Sequence, residues 1–187
     1  PLGCVTYSMR FFQNKIDEKV FQTAITAART EIQRIAKAYK DTGWDFSVGT
    51  SGSAKSIRDV LAAETGNTEE TISYPGMKKL MQRICEAGSV KKAKFAGLKA
   101  DRLEVFSGGL AVMLAVFEEL GVQTMTVTDA ALRDGVFYDF IGRSLNEDMR
   151  EQTVTQFQQR YHVSLSQADR VAHTASILLE SLAQNAS

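Results

Sequence analysis

The sequence contains few of the residues that build metal sites and disulfide frameworks, because its 187 residues include only two cysteines and two histidines. Cys4 and Cys85 lie far apart, and neither these thiols nor His162 and His173 have neighbouring ligands at the spacing of a metal site. Since zinc needs several convergent ligands, we interpret the histidines as structural or incidental. We interpret the cysteines as buried thiols in a reducing compartment, and we expect a cytoplasmic location and no metal-ligating residues in this chain.

An excess of charge of either sign is also missing, since 22 Lys and Arg residues balance 22 Asp and Glu residues. The chain has no run of about twenty apolar residues, the length that a membrane-spanning helix needs. It also has no basic recognition helix and no aromatic platform for nucleic acid. We therefore expect neither a nucleic-acid partner nor a membrane span, and any binding of anions must come from the local placement of residues.

One such local placement is the segment 48–53, Val-Gly-Thr-Ser-Gly-Ser. Residues 44–48 alternate as a strand does, whereas Ile57, Val60 and Leu61 repeat at helical spacing. A turn rich in Gly, Ser and Thr at this junction leaves N–H groups unpaired at the positive end of a helix, which suits a phosphate. The candidate phosphate-binding residues are Gly49, Thr50, Ser51, Gly52 and Ser53. The alternative is that the glycines permit a tight turn while a serine caps the helix.

Apolar periodicity predicts the elements around this turn. Residues 5–12 are predicted to form an edge strand, and Asp17 is predicted to cap a long helix that ends at Gly43. The predicted buried stripe of that helix consists of Phe21, Ile25, Ala28, Ile32, Ile35 and Tyr39. Another helix is predicted to begin at Pro75, and residues 67–104 as a whole carry helical patterns without a strand signal. We therefore expect a helical insertion between two strand-and-helix units.

The second half of the chain begins with an unusually apolar segment, residues 106–120, which contains Gly108-Gly109. It is too apolar for a surface helix and too short to span a membrane, so we predict a buried helix whose glycines allow close packing. A strand over residues 123–128 follows. Two further helices, over residues 149–161 and 166–182, are predicted to begin a second domain.

Four segments carry a more specific signal through their order. They are Leu2-Gly3-Cys4-Val5-Thr6; Gly43-Trp44 with residues 48–53; Arg102 with Val105-Phe106-Ser107-Gly108-Gly109-Leu110-Ala111; and Ala131-Leu132-Arg133-Asp134-Gly135-Val136-Phe137-Tyr138. In this order they resemble the exopolyphosphatase / guanosine pentaphosphate phosphatase (Ppx/GppA) family of the actin-like ATPase superfamily, over nearly the whole chain. Two departures are Ser53, where threonine is usual, and Asp134, where glutamate is expected, and both conserve the side-chain chemistry.

The resemblance implies an α/β fold, namely part of a ribonuclease H-like (actin-like ATPase) lobe with a helical insertion, followed by helices of an all-α domain. It places the second lobe, without its first strands, at residues 1–143 and the start of the helical C-terminal domain at 144–187. Family members carry their phosphate loops and catalytic glutamate upstream of the Gly-Cys-Val-Thr segment. We therefore expect no catalytic residue here, and a fragment that is inactive by itself.

The activity implied by the resemblance is hydrolysis of terminal phosphoanhydride bonds in inorganic polyphosphate, guanosine pentaphosphate or both. The implied cofactor is Mg²⁺, bound mainly by the missing half, and the implied assembly is a homodimer formed by the parent protein. The helical tail favours an exopolyphosphatase-like parent. Two other functions stay open: a dimerisation or regulatory module that uses an exposed Met-rich helix and the helical tail, and half of an actin-like ATPase or kinase.

Cationic side chains complete the set of candidate substrate-binding residues. Arg102 precedes the Gly-Gly helix in the region that faces a nucleotide or a chain-like substrate in this superfamily, although it can instead pair with Asp101 or Glu104. Arg133 follows a strand, where α/β folds build clefts, although it can instead pin its helix to neighbouring carbonyls. Lys55 can reach an anion at the glycine turn or be solvated. A lysine strip can follow polyphosphate or be a solvated face, and it consists of Lys91, Lys92, Lys94 and Lys99.

Overall fold

The computed structural model describes residues 2–66, 71–130, 132–144 and 149–185. They belong to two compact units, Pro1–Ala131 and Leu132–Ser187. The domain boundary predicted from the sequence lies further along the chain, between residues 143 and 144.

The first unit contains a small mixed sheet and a group of helices. Its elements are α1 (Cys4–Phe11), α2 (Glu18–Thr42), β1 (Val48–Gly49), α3 (Gly52–Thr65), β2 (Thr71–Ser73), α4 (Tyr74–Ala87), α5 (Val90–Ala93), a 3₁₀ turn (Ala100–Arg102), α6 (Phe106–Leu120) and β3 (Thr124–Val127). The strand order is β1-β3-β2, with β1 parallel and β2 antiparallel to β3. Val48 pairs with Thr126, and Ile72 pairs with Met125.

Helix α6 lies at the centre of this unit. It is apolar on nearly all sides, and α1, α2, α3 and α4 all pack against it. Leu110, Leu114 and Phe117 are buried in the contact. The prediction of a buried helix over residues 106–120 is therefore confirmed, and the strand predicted after it is confirmed as β3.

Helix α2 also forms where the sequence predicts it. The Asp17 carboxylate accepts a hydrogen bond from Val20 N at 2.9 Å, which caps the helix. Gly43 ends the helix with a φ of 73°, a conformation that favours glycine. The last two residues of the predicted stripe, Ile35 and Tyr39, are exposed, because the buried line continues from Ile32 to Ala36.

Three predictions about strands were wrong or too broad. Residues 5–11 belong to helix α1 and Phe12 caps its end; within the helix, Tyr7 and Phe11, four residues apart, place their ring centroids 5.4 Å from each other. The region 67–104, predicted to be without strands, contains β2; residues 67–70 lie outside the described part. Of the strand predicted at 44–48, only Val48 is in a strand, and Trp44 and Phe46 are exposed. A strand of two or three residues is too short to show the alternation of apolar and polar residues from which strands are predicted.

Helix α4 begins at Tyr74, one residue before the predicted start at Pro75.

The second unit contains three helices among its described residues: α7 (Leu132–Ser144), α8 (Met149–Arg160) and α9 (Leu165–Asn185). The two helices predicted after residue 148 are confirmed as α8 and α9. The segment Leu132–Val136 starts α7, and Ala131 lies outside the described part.

Several expectations about burial and exposure also need correction. Met77 and Met81 of α4 are buried, so the described chain offers no exposed Met-rich helix there. Cys4 and Cys85 are partly rather than fully buried, and both are free thiols. Among the described helices, none has the length and apolar character needed to cross a membrane.

Candidate functional site

The N-terminal end of α6 receives two other helices at very short distances. At Gly108, a Cβ atom would lie 2.6 Å from Ser8 N and in collision with the Cys4 carbonyl oxygen. Gly108 N donates a buried hydrogen bond to Ser8 Oγ at 3.2 Å. The glycine is therefore required for α1 to lie directly on α6.

The neighbouring glycine allows α3 to approach from another side. A Cβ atom at Gly109 would lie 2.6 Å from Ser53 Oγ and 2.9 Å from Ser53 Cβ. Gly49 has the same function on the opposite side of the turn, because its Cβ would lie 2.9 Å from both Ala54 Cβ and Met125 Sδ. Three of the segments singled out in the sequence thus meet around the start of α6.

The glycine turn leads into the N-terminus of α3, as the sequence predicts. Ser51 is the N-cap residue, and its hydroxyl accepts a hydrogen bond from Ala54 N at 3.1 Å. The Ser56 hydroxyl donates to Gly52 O at 2.8 Å. The N–H groups of Gly52 and Ser53 have no acceptor among the described residues. The turn therefore caps its helix and still leaves two donors at the positive end of that helix.

Arg102 lies against the same end of α3. A Cβ atom at Gly52 would be 3.0 Å from Arg102 Nη1 and 3.1 Å from both Cζ and Nη2. The nearly equal distances show that the guanidinium lies flat over Gly52, at the position that a side chain would otherwise fill. Arg102 Nε is also 3.6 Å from Asp101 Oδ2, and its side chain is 40% exposed. Arg102 thus forms the predicted ion pair with Asp101 and, in the same conformation, lies beside the glycine turn.

A cation at the N-terminus of a helix is electrostatically unfavourable, because the helix dipole places partial positive charge there. The arrangement of Arg102 over Gly52 therefore concentrates positive potential that the single exposed carboxylate of Asp101 offsets only in part. An oxyanion at this place would accept hydrogen bonds from a fork of guanidinium donors and from backbone N–H groups. The geometry suits a phosphate group.

The two cations that α3 itself carries, Lys55 and Arg58, are each paired with a carboxylate. Lys55 Nζ donates to Asp129 O at 3.0 Å and lies 3.4 Å from the carboxylate of that residue. Arg58 pairs with Asp59 at 2.9 Å and with Asp129 at 3.7 Å. Asp129 was missed in the sequence analysis, although its place just after a predicted strand was a usable signal.

Two further candidate cations each lie near an acidic side chain. Arg133 belongs to α7 in the second unit, where it is 86% exposed and lies 3.8 Å from Asp134. Lys91 lies 3.9 Å from Glu104, and both side chains are exposed. The structure thus brings Gly49, Ser51, Gly52, Ser53 and Arg102 together within the first unit.

Two groups near the C-terminal end of α6 have shifted pKa values: Glu119 of α6 and Tyr74 of α4. Contacts between helices and burial explain both shifts. Arg29 Nε donates to Glu119 at 3.1 Å, and this hydrogen bond holds the pKa of Glu119 below its ordinary value. Tyr74 Oη donates to Glu118 at 2.9 Å, and burial raises the pKa of Tyr74. These contacts join α2 and α4 to α6.

Within the described ranges, no group of three or more His, Cys, Asp or Glu side chains is placed to hold an ion. Asp129, which follows β3, is paired with Lys55 and Arg58. These residues do not fit a Mg²⁺ site by themselves.

Comparison with known proteins gives consistent results. Residues 1–144 match the model of the Ppx/GppA phosphatase family. The chain is 37% identical over 172 residues to a guanosine-5'-triphosphate,3'-diphosphate pyrophosphatase of Pseudoalteromonas translucida, covering 91% of this chain and 34% of the relative. It is 33% identical over 175 residues to the protein of the same name from Aeromonas hydrophila, covering 93% of this chain and 35% of the relative. The chain thus spans about a third of the length of these curated relatives.

Solved structures agree on the fold. The Aquifex aeolicus member of the Ppx/GppA protein family superposes with a TM-score of 0.62 at 20% identity, over 77% of this chain and 48% of that one. An exopolyphosphatase-like protein superposes with a TM-score of 0.59 at 17% identity, over 77% of this chain and 49% of that one. The small mixed sheet with its covering helices is therefore part of the actin-like fold of these proteins, and the predicted fold class is confirmed.

Proposed function

Because the chain belongs to the Ppx/GppA phosphatase family, we propose that it is part of a hydrolase that cleaves terminal phosphoanhydride bonds, and that it contributes substrate binding. The proposed substrates are guanosine pentaphosphate and inorganic polyphosphate. The names of the two relatives favour the guanosine compound as the first substrate to test. The predicted preference for polyphosphate remains a second possibility.

One observation carries the proposal: the Arg102 guanidinium lies over Gly52, where unpaired N–H groups also point out of α3. Two sets of positive groups that repel each other are brought together, which costs free energy unless an anion lies between them. A phosphate chain carries several negative charges and can accept hydrogen bonds from both sets. The exposed part of the guanidinium is also suited to stacking on a nucleobase.

The chemistry requires more than this site supplies. In-line attack of water on a phosphoanhydride needs neutralisation of the phosphate oxygens and a carboxylate that orients or deprotonates the water. A bound Mg²⁺ would supply Lewis-acid charge neutralisation. We propose that both parts belong to the half of the protein with the family's phosphate loops, and that Gly52, Ser53 and Arg102 hold the substrate from the opposite side.

Titration of the chain with guanosine pentaphosphate and with polyphosphate, at low and at moderate salt, tests this proposal. We expect binding that weakens with salt. Arg102→Ala should reduce affinity roughly tenfold, the size expected for a charge-assisted hydrogen bond. Gly52→Val should do the same, because its Cβ would displace the guanidinium. The matched control is Arg34→Ala, which removes an exposed arginine paired with Glu31 on α2.

Two results would contradict the proposal. The first is binding that all variants share, which would place recognition elsewhere in the chain. The second is the absence of any binding by the wild type, which would leave the glycine turn as a structural turn that caps α3. Release of ADP from ATP by the parent protein would instead favour the ATPase or kinase alternative.

We also propose that the second unit takes part in assembly, as the predicted homodimer requires. Apolar side chains on its helices are exposed, among them Phe137, Phe140, Leu178 and Leu182. Light scattering of the wild type and of a Leu178→Lys variant tests this proposal. A monomer at all concentrations in both proteins would contradict it.

A further inference from the structure

A cavity separate from the glycine turn lies on the α1 side of the α6 N-terminus. Its volume is about 580 Å³, and its walls come from α1 and the loop after it, residues 89–91, residues 103–105 and Ser107. Pockets of roughly 300–1,000 Å³ are typical of small-ligand sites. The polar lining includes Ser89, Lys91, Glu104 and Ser107, while Arg102 and Gly52 are not among the lining residues.

The helix end at this cavity has unsatisfied donors. Val105 occupies the N-cap position of α6 and provides no side-chain hydrogen bond. Gly109 N donates to Val105 O, and Gly108 N donates to Ser8 Oγ. The N–H groups of Phe106 and Ser107 have no acceptor among the described residues. Two donors are thus left at the positive end of a 15-residue helix.

The Ser107 hydroxyl provides a second and independent observation. Ser107 is 2% exposed, and its Oγ has no hydrogen-bond partner in the described part of the chain. Serine in a helix commonly donates to the carbonyl four residues earlier, which here would be Leu103. Because a buried hydroxyl without a partner costs stability, this side chain needs an explanation.

We propose that the cavity binds a small oxyanion, a phosphate group that is either free or at the end of a larger molecule. The donors are the N–H group and the hydroxyl of Ser107, which lines the cavity. Lys91 supplies the positive charge. Its present partner, Glu104, is 3.9 Å away and well exposed, so this ion pair is weak and can open.

The test is a titration of the full 187-residue chain with inorganic phosphate at constant ionic strength. The Phe106 and Ser107 amide resonances and the melting temperature report on binding. Ser107→Ala and Lys91→Gln should each weaken binding several-fold, whereas Glu104→Gln should strengthen it by removing a repelling carboxylate. Lys92→Gln is the matched control, because Lys92 does not line the cavity. Opposite effects of Lys91→Gln and Glu104→Gln would not arise from a structural role.

A parallel titration of Arg102→Ala separates this site from the proposed substrate site. At the Phe106 and Ser107 amide resonances, inorganic phosphate should titrate that variant as it titrates the wild type, whether or not the substrate proposal holds. Tripolyphosphate distinguishes the two sources of the ligand: tighter binding than phosphate, still sensitive to Lys91→Gln, would identify the end of a larger molecule. Amide shifts that sodium chloride reproduces, or that Ser107→Ala and Lys91→Gln both leave unchanged, would overturn the proposal and assign the hydroxyl to solvent.

Discussion

The two ends of α6 differ in how their polar groups are paired. At the C-terminal end, Glu118 and Glu119 each have a partner on another helix, and the contacts with Arg29 and Tyr74 are hydrogen bonds of ordinary length. At the N-terminal end, Gly108 and Gly109 let two helices come very close, and donors and a buried hydroxyl have no partner among the described residues. One end holds the unit together, while the other combines close packing with unsatisfied polar groups.

This difference indicates where ligands are expected. Buried polar groups are nearly always satisfied, so a concentration of unsatisfied donors in one place points to a group that comes from outside the chain. Shifted pKa values do not indicate a ligand site here, because those of Glu119 and Tyr74 are explained by contacts between helices. In this fold, unpaired hydrogen-bond donors identify candidate ligand sites better than shifted pKa values do.

The largest effect is expected from Gly108→Val, which tests the close packing at the N-terminal end. Its side chain would collide with Ser8 and with the backbone of Cys4. We expect a loss of roughly 3 kcal/mol in the free energy of unfolding, or failure to fold, as in severe overpacking. Chemical denaturation measures it. Gly3→Ala is the control, since its Cβ would meet only Thr6 Oγ1 at 3.6 Å, and equal stability of the two variants would contradict the role of Gly108.

A smaller effect is expected from Gly109→Ala, whose methyl group would lie 2.6 Å from Ser53 Oγ. We expect a cost of about 1–2 kcal/mol and weaker phosphate binding at the start of α3, because Ser53 must move. The double variant Gly109→Ala with Ser53→Gly should recover much of the loss. A double-mutant cycle measures the coupling between the two positions, and strict additivity would show that they do not interact.

The sequence could predict the long elements of this fold because their signals are local. The cap at Asp17, the stop at Gly43 and the apolar length of α6 each depend on residues close in the chain. Helix α1 could not be predicted in the same way. Its β-branched Val5 and Thr6 favour a strand, and the helix depends on contact with Gly108, about a hundred residues away.

The candidate site was predictable only in part. The glycine turn and Arg102 were each chosen from the sequence, and their meeting at Gly52 depends on the packing of α3 against α6. The sequence could not show that Asp129 pairs with Lys55, or that the Ser107 hydroxyl is buried without a partner. Both facts arise from contacts between distant segments, which periodicity does not encode.

At the C-terminal end of α6, Arg29→Ala should lower the melting temperature modestly without changing phosphate binding. The pH dependence is more specific. Since the folded pKa of Glu119 is lowered, its contribution to stability is present above the ordinary glutamate pKa and is lost as the pH falls through the folded value. Wild type should therefore lose more stability on acidification than Arg29→Ala or Glu119→Gln. Parallel pH profiles of the three proteins would contradict this account.

The smallest effect is expected from Lys55→Gln, which compares two cations near the start of α3. The Lys55 ammonium group is held by Asp129, whereas the Arg102 guanidinium lies over Gly52 with only an exposed neighbouring carboxylate. We therefore expect Lys55→Gln to change the affinity for guanosine pentaphosphate by no more than about twofold, since a partly exposed ion pair contributes little. The same titration as for Arg102→Ala measures it. A loss as large as that of Arg102→Ala would mean that Lys55 leaves Asp129 and joins the site when the anion binds.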